Sequence, residues 1–258
     1  MLEKKELIKE AENAIEWIRE YVNNSGAKGV VVGNSGGKDS AVVIAMATKA
    51  LGKERVLTVS MPCQSIESDY DDAKAVADAF EVPFIKVDLT ECYLKFENEV
   101  NNKIKSVIAE DLSKESTINV KPRLRMTTLY SIAQTMNYLV IGTGNLCEAM
   151  VGYTTKWGDN SSDFNPIGNF TVDEVLAIGA YLNVPQRVLK KAPNDGLGGK
   201  TDEEKMGIKY SQIAQMIETG NTDEYAKEEI LRRFNSSKHK RSVVPVYRFN
   251  RKNYLLDN

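Results

Sequence analysis

The stretch "GVVVGNSGGKDSAVVIAMATKAL", residues 29–51, sets a β-branched run, a glycine-rich turn and an apolar helical pattern end to end. The glycines of "GNSGGKDS", residues 33–40, let the backbone fold tightly and turn several N–H groups toward one point. A loop of this kind at a helix N-terminus is a cradle for an anion, to which the helix dipole adds on the order of 1 kcal/mol. Two commoner phosphate loops are excluded. A Walker A loop needs four residues between its glycines and a Ser or Thr directly after Lys38, where Asp39 stands. A dinucleotide fingerprint needs GxGxxG, which is missing. The residues alone leave open a tight turn that only caps a helix through Ser35.

Outward from this stretch the pattern alternates. Short β-branched runs at 29–33, 55–61, 82–89 and 138–144 predict strands, and helical spacings follow at 40–51, 67–80, 91–108 and 148–153. Helices are also predicted over 2–23, 171–182, 208–219 and 222–235. Strands separated by helices predict an α/β fold with a parallel sheet flanked by helices. Ligands bind at the carboxyl ends of such strands, so the loops after Val32, Ser60 and Ile141 are where chemistry is expected. No Pro/Gly/Ser-rich linker divides the chain, and residues 1–258 are read as one domain.

Composition narrows the function classes. Lys and Arg number 34 against 36 Asp and Glu, a formal charge of -2, so no overall field draws nucleic acid or an anionic membrane. The charged amino-terminal stretch has no secretory h-region, and no segment reaches the roughly 18 apolar residues of a membrane helix, so a cytoplasmic location is expected. Cys63, Cys92 and Cys147 form no CxxC pair; they read as free thiols, and His239 is the only histidine. A His triad is thereby excluded.

"SGGKDS", residues 35–40, resembles the pyrophosphate loop of the PP-loop ATP pyrophosphatases, with an adenine nucleotide alpha hydrolase-like fold, enzymes that adenylate a substrate oxygen and release pyrophosphate. Within that superfamily N-x-K-x-R-x-R-M at 119–126, GTxNxxE at 142–148, GYxTKxGD at 152–159, D-x-x-P at 163–166, "KTDEEKMGIKY" at 200–210 and "SKHKR" at 237–241 together resemble the NAD synthetase family.

The resemblance implies amidation of deamido-NAD to NAD, with ATP as co-substrate, Mg²⁺ as cofactor, an adenylate intermediate, and AMP and pyrophosphate as products. It implies ATP contacts at Gly33, Asn34, Ser35, Gly36, Gly37, Lys38, Asp39, Ser40, Thr143, Val172 and Asn194, and metal contacts at Asp39 and Glu148. Deamido-NAD falls to Arg123, Lys156, Asp163, His239 and Lys240, with Lys156 the catalytic candidate. Carboxylates suit a hard cation, and an Arg fork suits phosphate or carboxylate. Family members carry Lys at 172 and Thr at 194, so Val172 and Asn194 are departures, with Lys190, Lys191 or Lys200 available to restore the charge.

The family further implies a homodimer. Because the chain begins about 30 residues before the loop, with no room for a glutamine-hydrolysing domain, free ammonia is the expected nitrogen source. Loops 158–164 and 194–204, rich in Gly, Asn, Ser and Asp, are expected to close over substrate. Taken singly, Arg123 and Arg125 also fit surface charges, Asp39 a helix-start residue, Glu148 an exposed acid and His239–Lys240 a solvated tail. The competing readings are another PP-loop adenylating enzyme, such as a GMP synthetase core or tRNA thiolase, and a non-catalytic nucleotide sensor.

Overall fold

The computed structural model describes residues 3–191 and 201–247. In chain order the elements are α1 (Lys4–Ser25), β1 (Gly29–Gly33), α2 (Lys38–Leu51), β2 (Val56–Ser60), α3 (Glu67–Ala79), β3 (Phe84–Lys86), α4 (Thr90–Ile108), α5 (Lys114–Met136) and β4 (Tyr138–Val140). They continue with α6 (Leu146–Val151), α7 (Val172–Tyr181), α8 (Gln186–Leu189), α9 (Asp202–Met206), α10 (Tyr210–Thr219), α11 (Glu224–Ser236) and α12 (Lys238–Arg241).

The strands form one parallel sheet in the order β3-β2-β1-β4. Val31 pairs with Leu57 on one side of β1 and with Val140 on the other. Side chains alternate across the sheet: Val30 and Val32 join a core with α1, α2 and α7, while Val31, Leu57 and Val59 join another with Tyr93 of α4 and Ala133 of α5. Both faces are covered, which is why the strands read as continuous apolar runs rather than alternating ones. A third cluster, built from Cys147, Val151, Ile213, Ala226 and Ile230, packs α6, α10 and α11 together beside the start of α7.

The α/β expectation holds; the short helices α8, α9 and α12 lie outside the predicted ones, and two further local differences bear on the site. α5 falls where no helix is predicted from periodicity: its apolar residues follow no single stripe, and Pro122 lies inside it. Proline removes one helical N–H, so its presence reads as a stop unless packing overrides it. Here Pro122 and Lys121 are buried, and the Ser113 hydroxyl oxygen caps the helix by accepting from Ser116 N–H. The second difference is the loop at 158–164, expected as a lid. It is a hydrogen-bonded turn in which Trp157 N–H donates to Asn160 Oδ1 at 2.9 Å and Asp163 N–H to the Val140 carbonyl at 2.9 Å. Of the other expected lid, residues 192–200, with Asn194 and Lys200, lie outside the described residues; Asp202 to Glu204 open α9.

β1 is the strand at which the sheet reverses direction of growth, since β2 follows on one side and β4 on the other. Such a switch point opens a crevice at the strands' carboxyl ends. The loops after β1 and β4 both enter it.

Candidate active site

The loop after β1 is held by its own polar groups. Asn34, buried, donates from Nδ2 to the Ala73 carbonyl at 2.7 Å and accepts Gly36 N–H on Oδ1 at 3.2 Å. Gly36 has φ +72°, and a Cβ there would lie 2.4 Å from the Asp69 carbonyl oxygen, so glycine is required twice over. Ser35 Oγ accepts Gly37 N–H at 3.2 Å and lies 3.0 Å from Ser40 Oγ. No side chain caps α2, whose N-cap is Gly37. The first N–H groups of α2 therefore face the crevice, and a phosphate there would meet both these donors and the helix dipole. α2 itself is buried from Ser40 through Ala47, which fixes the cradle in place.

Two carboxylates meet at this point. Asp39 sits in the first turn of α2, and Glu148 in the first turn of α6, where it completes a capping box by accepting Asn145 N–H at 2.9 Å. Asn145 joins the two halves, for its Nδ2 donates to Asp39 Oδ1 at 3.2 Å. Lys38 is 7% exposed and places Nζ 2.9 Å from Asp39 Oδ2. Burial pushes the Glu148 carboxyl well above the usual range, and the negative charge of Asp39 adds to this, against the opposing Asn145 N–H and Lys38. Burial works against the Lys38 ammonium, yet Asp39, Glu148 and Asp202 together hold its affinity for the proton above the ordinary value. Three carboxylates, Asp39, Glu148 and Asp202, act on one buried ammonium, an imbalance of charge that a cation would relieve.

That donor set fits Mg²⁺. Among the described residues no cluster of three or more His, Cys, Asp or Glu could hold a metal alone. Mg²⁺ is bound through one or two carboxylates together with substrate phosphates, which is what Asp39 and Glu148 beside an anion cradle offer.

A cavity of about 430 Å³ opens beside the crevice, lined by Met126 and Tyr130 of α5, Lys156, Trp157, the 160–162 turn, Lys240 and Ser242. It adjoins the loop after β4: a Cβ on Gly142 would lie 2.6 Å from the Oγ of Ser162, which lines the cavity. Lys156 Nζ stands 5.1 Å above the Trp157 ring, and Trp157 takes the left-handed backbone conformation with φ +63°. Lys240 Nζ donates to the carbonyls of Gly152 at 2.8 Å and Thr154 at 2.6 Å. Gly152, with φ +63°, allows this docking, since a Cβ there would lie 2.1 Å from Ser237 Cβ.

The expected residues thus divide. Residues 33–40, Asp39 with Glu148, and Lys156 with Lys240 come together as two adjoining sites. Thr143 lies in the loop after β4, half-buried. Arg123 and His239 are exposed, and Arg123 Nε donates to the Lys156 carbonyl at 3.3 Å. The Asp163 carboxylate is engaged within the fold, accepting Val140 N–H on Oδ2 at 2.7 Å and the Tyr130 hydroxyl on Oδ1 at 3.3 Å. Val172 is buried in the third apolar cluster and offers no polar atom. Lys191, a candidate replacement for the missing lysine, is committed to Asp69 at 2.8 Å and Asp72 at 2.7 Å. Cys147 is buried and its thiol is pushed up to about 11, chiefly by burial, so it is no nucleophile. Asn145, Asp202, Tyr210 and Tyr130 carry roles that no spacing disclosed, although the first three stand inside quoted motifs.

Comparison with known proteins finds relatives in both sequence and fold. The family model described as NAD synthase matches residues 10–253. The NH(3)-dependent NAD(+) synthetase of Carboxydothermus hydrogenoformans is 40% identical over 236 residues, 91% of this chain and 95% of that protein. Among solved structures, NMN synthetase from Francisella tularensis superposes with a TM-score of 0.88 at 31% identity, covering 96% of this chain and 100% of that one. NH3-dependent NAD synthetase from Campylobacter jejuni, solved with a nitrate ion, gives 0.77 at 27% identity, covering 96% and 100%.

Proposed function

Because this chain belongs to the NAD synthase family, we propose that it catalyses the ATP-dependent amidation of deamido-NAD to NAD with ammonia. The observation that carries the reading is the Asp39–Asn145–Glu148 bridge, which joins the loops after β1 and β4 beside an uncapped helix start. The residues 33–40 hold the pyrophosphate portion of ATP against the first N–H groups of α2. The nicotinate carboxylate oxygen attacks the α-phosphorus, pyrophosphate leaves, and ammonia then attacks the acyl carbon of the adenylate. AMP leaves and the nitrogen loses a proton. No nucleophilic side chain is needed. Asp39 and Glu148 would hold Mg²⁺, which neutralises phosphate charge when bound. The acceptor lies in the cavity, where Lys156 stabilises the charge that develops during both displacements and Lys240, held on the carbonyls of Gly152 and Thr154, forms part of the wall. Arg123, which donates to the Lys156 carbonyl, and His239, next to Lys240 in the chain, would contact deamido-NAD, Thr143 serves ATP, and Asp163 shapes the wall through Tyr130. The chain works as one catalytic unit and as a homodimer.

The similarity to an NMN synthetase structure supports a second reading, in which the acceptor is the mononucleotide and the product NMN. One assay separates the readings. Purified protein with ATP, Mg²⁺ and ammonium receives deamido-NAD in one arm and the deamido mononucleotide in the other, and AMP, pyrophosphate and pyridine amide are followed. NAD formed with stoichiometric AMP, and lost when ammonium is omitted, is the expected result. A kcat/KM that favours the mononucleotide establishes the second reading, and absence of AMP in both arms removes the adenylating one.

A further inference from the structure

The acidic centre already contains a positive charge of its own. Lys38 is buried, and its Nζ lies 2.9 Å from Asp39 Oδ2 and 5.7 Å from the centroid of the Tyr210 ring. The other Asp39 oxygen accepts from Asn145, so both oxygens are engaged. Asp202 closes the same space from α9, its two oxygens 3.4 Å from the hydroxyls of Tyr153 and Tyr210. A lysine at the start of an exposed helix would turn to solvent, whereas this one is turned into a carboxylate pair that belongs to the proposed metal.

Mg²⁺ needs its oxygens at about 2.0–2.1 Å in near-octahedral array. An ammonium hydrogen-bonded to Asp39 Oδ2 occupies that oxygen, and a divalent ion on the same carboxylate would stand within a few ångströms of a like charge in a poorly screened place. We infer that the Lys38 ammonium is the resident counter-ion of the Asp39–Glu148 centre and competes with the divalent cation for Asp39. The metal then loads together with the nucleotide, because the polyphosphate at the N-terminus of α2 supplies the anion that draws Lys38 away. The inference rests on the reading of Asp39 and Glu148 as metal carboxylates, and its test separates the two.

Mn²⁺ is a paramagnetic, oxygen-binding probe, and its binding to the nucleotide-free full chain is read by electron paramagnetic resonance. Lys38→Met is expected to bind Mn²⁺ about tenfold or more tightly than the wild type, from loss of a nearby like charge. Lys38→Arg, which keeps the charge, is expected to stay as weak as the wild type. The gain should vanish in the double variant Lys38→Met with Asp39→Asn. Circular dichroism checks the fold of each variant, and if Lys38→Met does not fold, Lys38→Gln replaces it. A second readout is melting temperature, which Mn²⁺ should raise further in Lys38→Met than in the wild type. Equal Mn²⁺ affinity with and without Lys38, while Asp39→Asn still weakens binding, overturns the competition and leaves the metal reading standing. Indifference of Mn²⁺ binding to Asp39→Asn in both backgrounds overturns both.

Discussion

At the scale of single residues, Gly36 is the point where the cradle has least latitude. Its φ of +72° and the Asp69 carbonyl 2.4 Å from a would-be Cβ forbid a side chain without moving α3 or the loop. Gly36→Ala is expected to destabilise by about 1–3 kcal/mol and to raise the KM for ATP more than it lowers the melting temperature alone would suggest. Thermal melts and ATP titrations measured together check this; an unchanged KM tells against the loop as the phosphate site. Sequence spacing disclosed Gly36 because glycine has few other reasons to occur there. It could not disclose that Asp163 spends its carboxylate on Val140 N–H and Tyr130, or that Lys240 spends its ammonium on the carbonyls of Gly152 and Thr154. Those partners lie 23 or more residues away in the chain and meet only in the folded state.

At the scale of elements, α1 and α7 were legible because each carries a stripe that the core selects, and α2 because its apolar run is buried on all sides, whereas α5 is committed by tertiary contact and by a cap rather than by a stripe. α11 shows how a polar helix face is secured. Glu229 accepts from Arg232 Nε at 2.7 Å and Nη2 at 2.6 Å, and from Arg233 Nε at 2.6 Å. The Arg232 hydrogen bonds lead in holding its carboxyl down at about 2, against an ordinary 4.5, and burial opposes them. A carboxyl whose pKa is lowered on folding stabilises the fold fully above the unfolded value and loses that contribution as pH falls through the folded one. Stability from this cluster is therefore present above about pH 4.5 and fades toward pH 2. Glu229→Gln should melt lower than the wild type at pH 6, with the gap narrowing as acid is added. A gap independent of pH would show that Glu229 acts through shape alone.

At the scale of the whole molecule, two apolar clusters cover the faces of one sheet, a third packs α6, α10 and α11 together, and the two sites adjoin at the loop after β4. Among the described residues no helix is long and apolar enough to cross a membrane. Ligands that bind the folded state alone raise its stability by mass action, about 2.7 kcal/mol at a hundred times Kd. ATP with Mg²⁺ is thus expected to raise the melting temperature by several degrees, and Asp39→Asn to abolish most of the rise. An equal rise in the variant would place the nucleotide elsewhere. The parallel architecture was readable from 29–51 and the runs after it, since strand and helix periods differ; the assignment of carboxylates and cations to partners was not, since that depends on distances across the sheet. One consequence follows from the burial of α2 along its length between Ser40 and Ala47. The cradle is a fixed datum, while the acceptor cavity is walled by α5 and the 156–162 turn, separate stretches of chain. An engineer seeking a different acid to activate could redraw those walls around Lys156 and leave the phosphate cradle untouched, as one changes the jaws of a vice without recasting its bed.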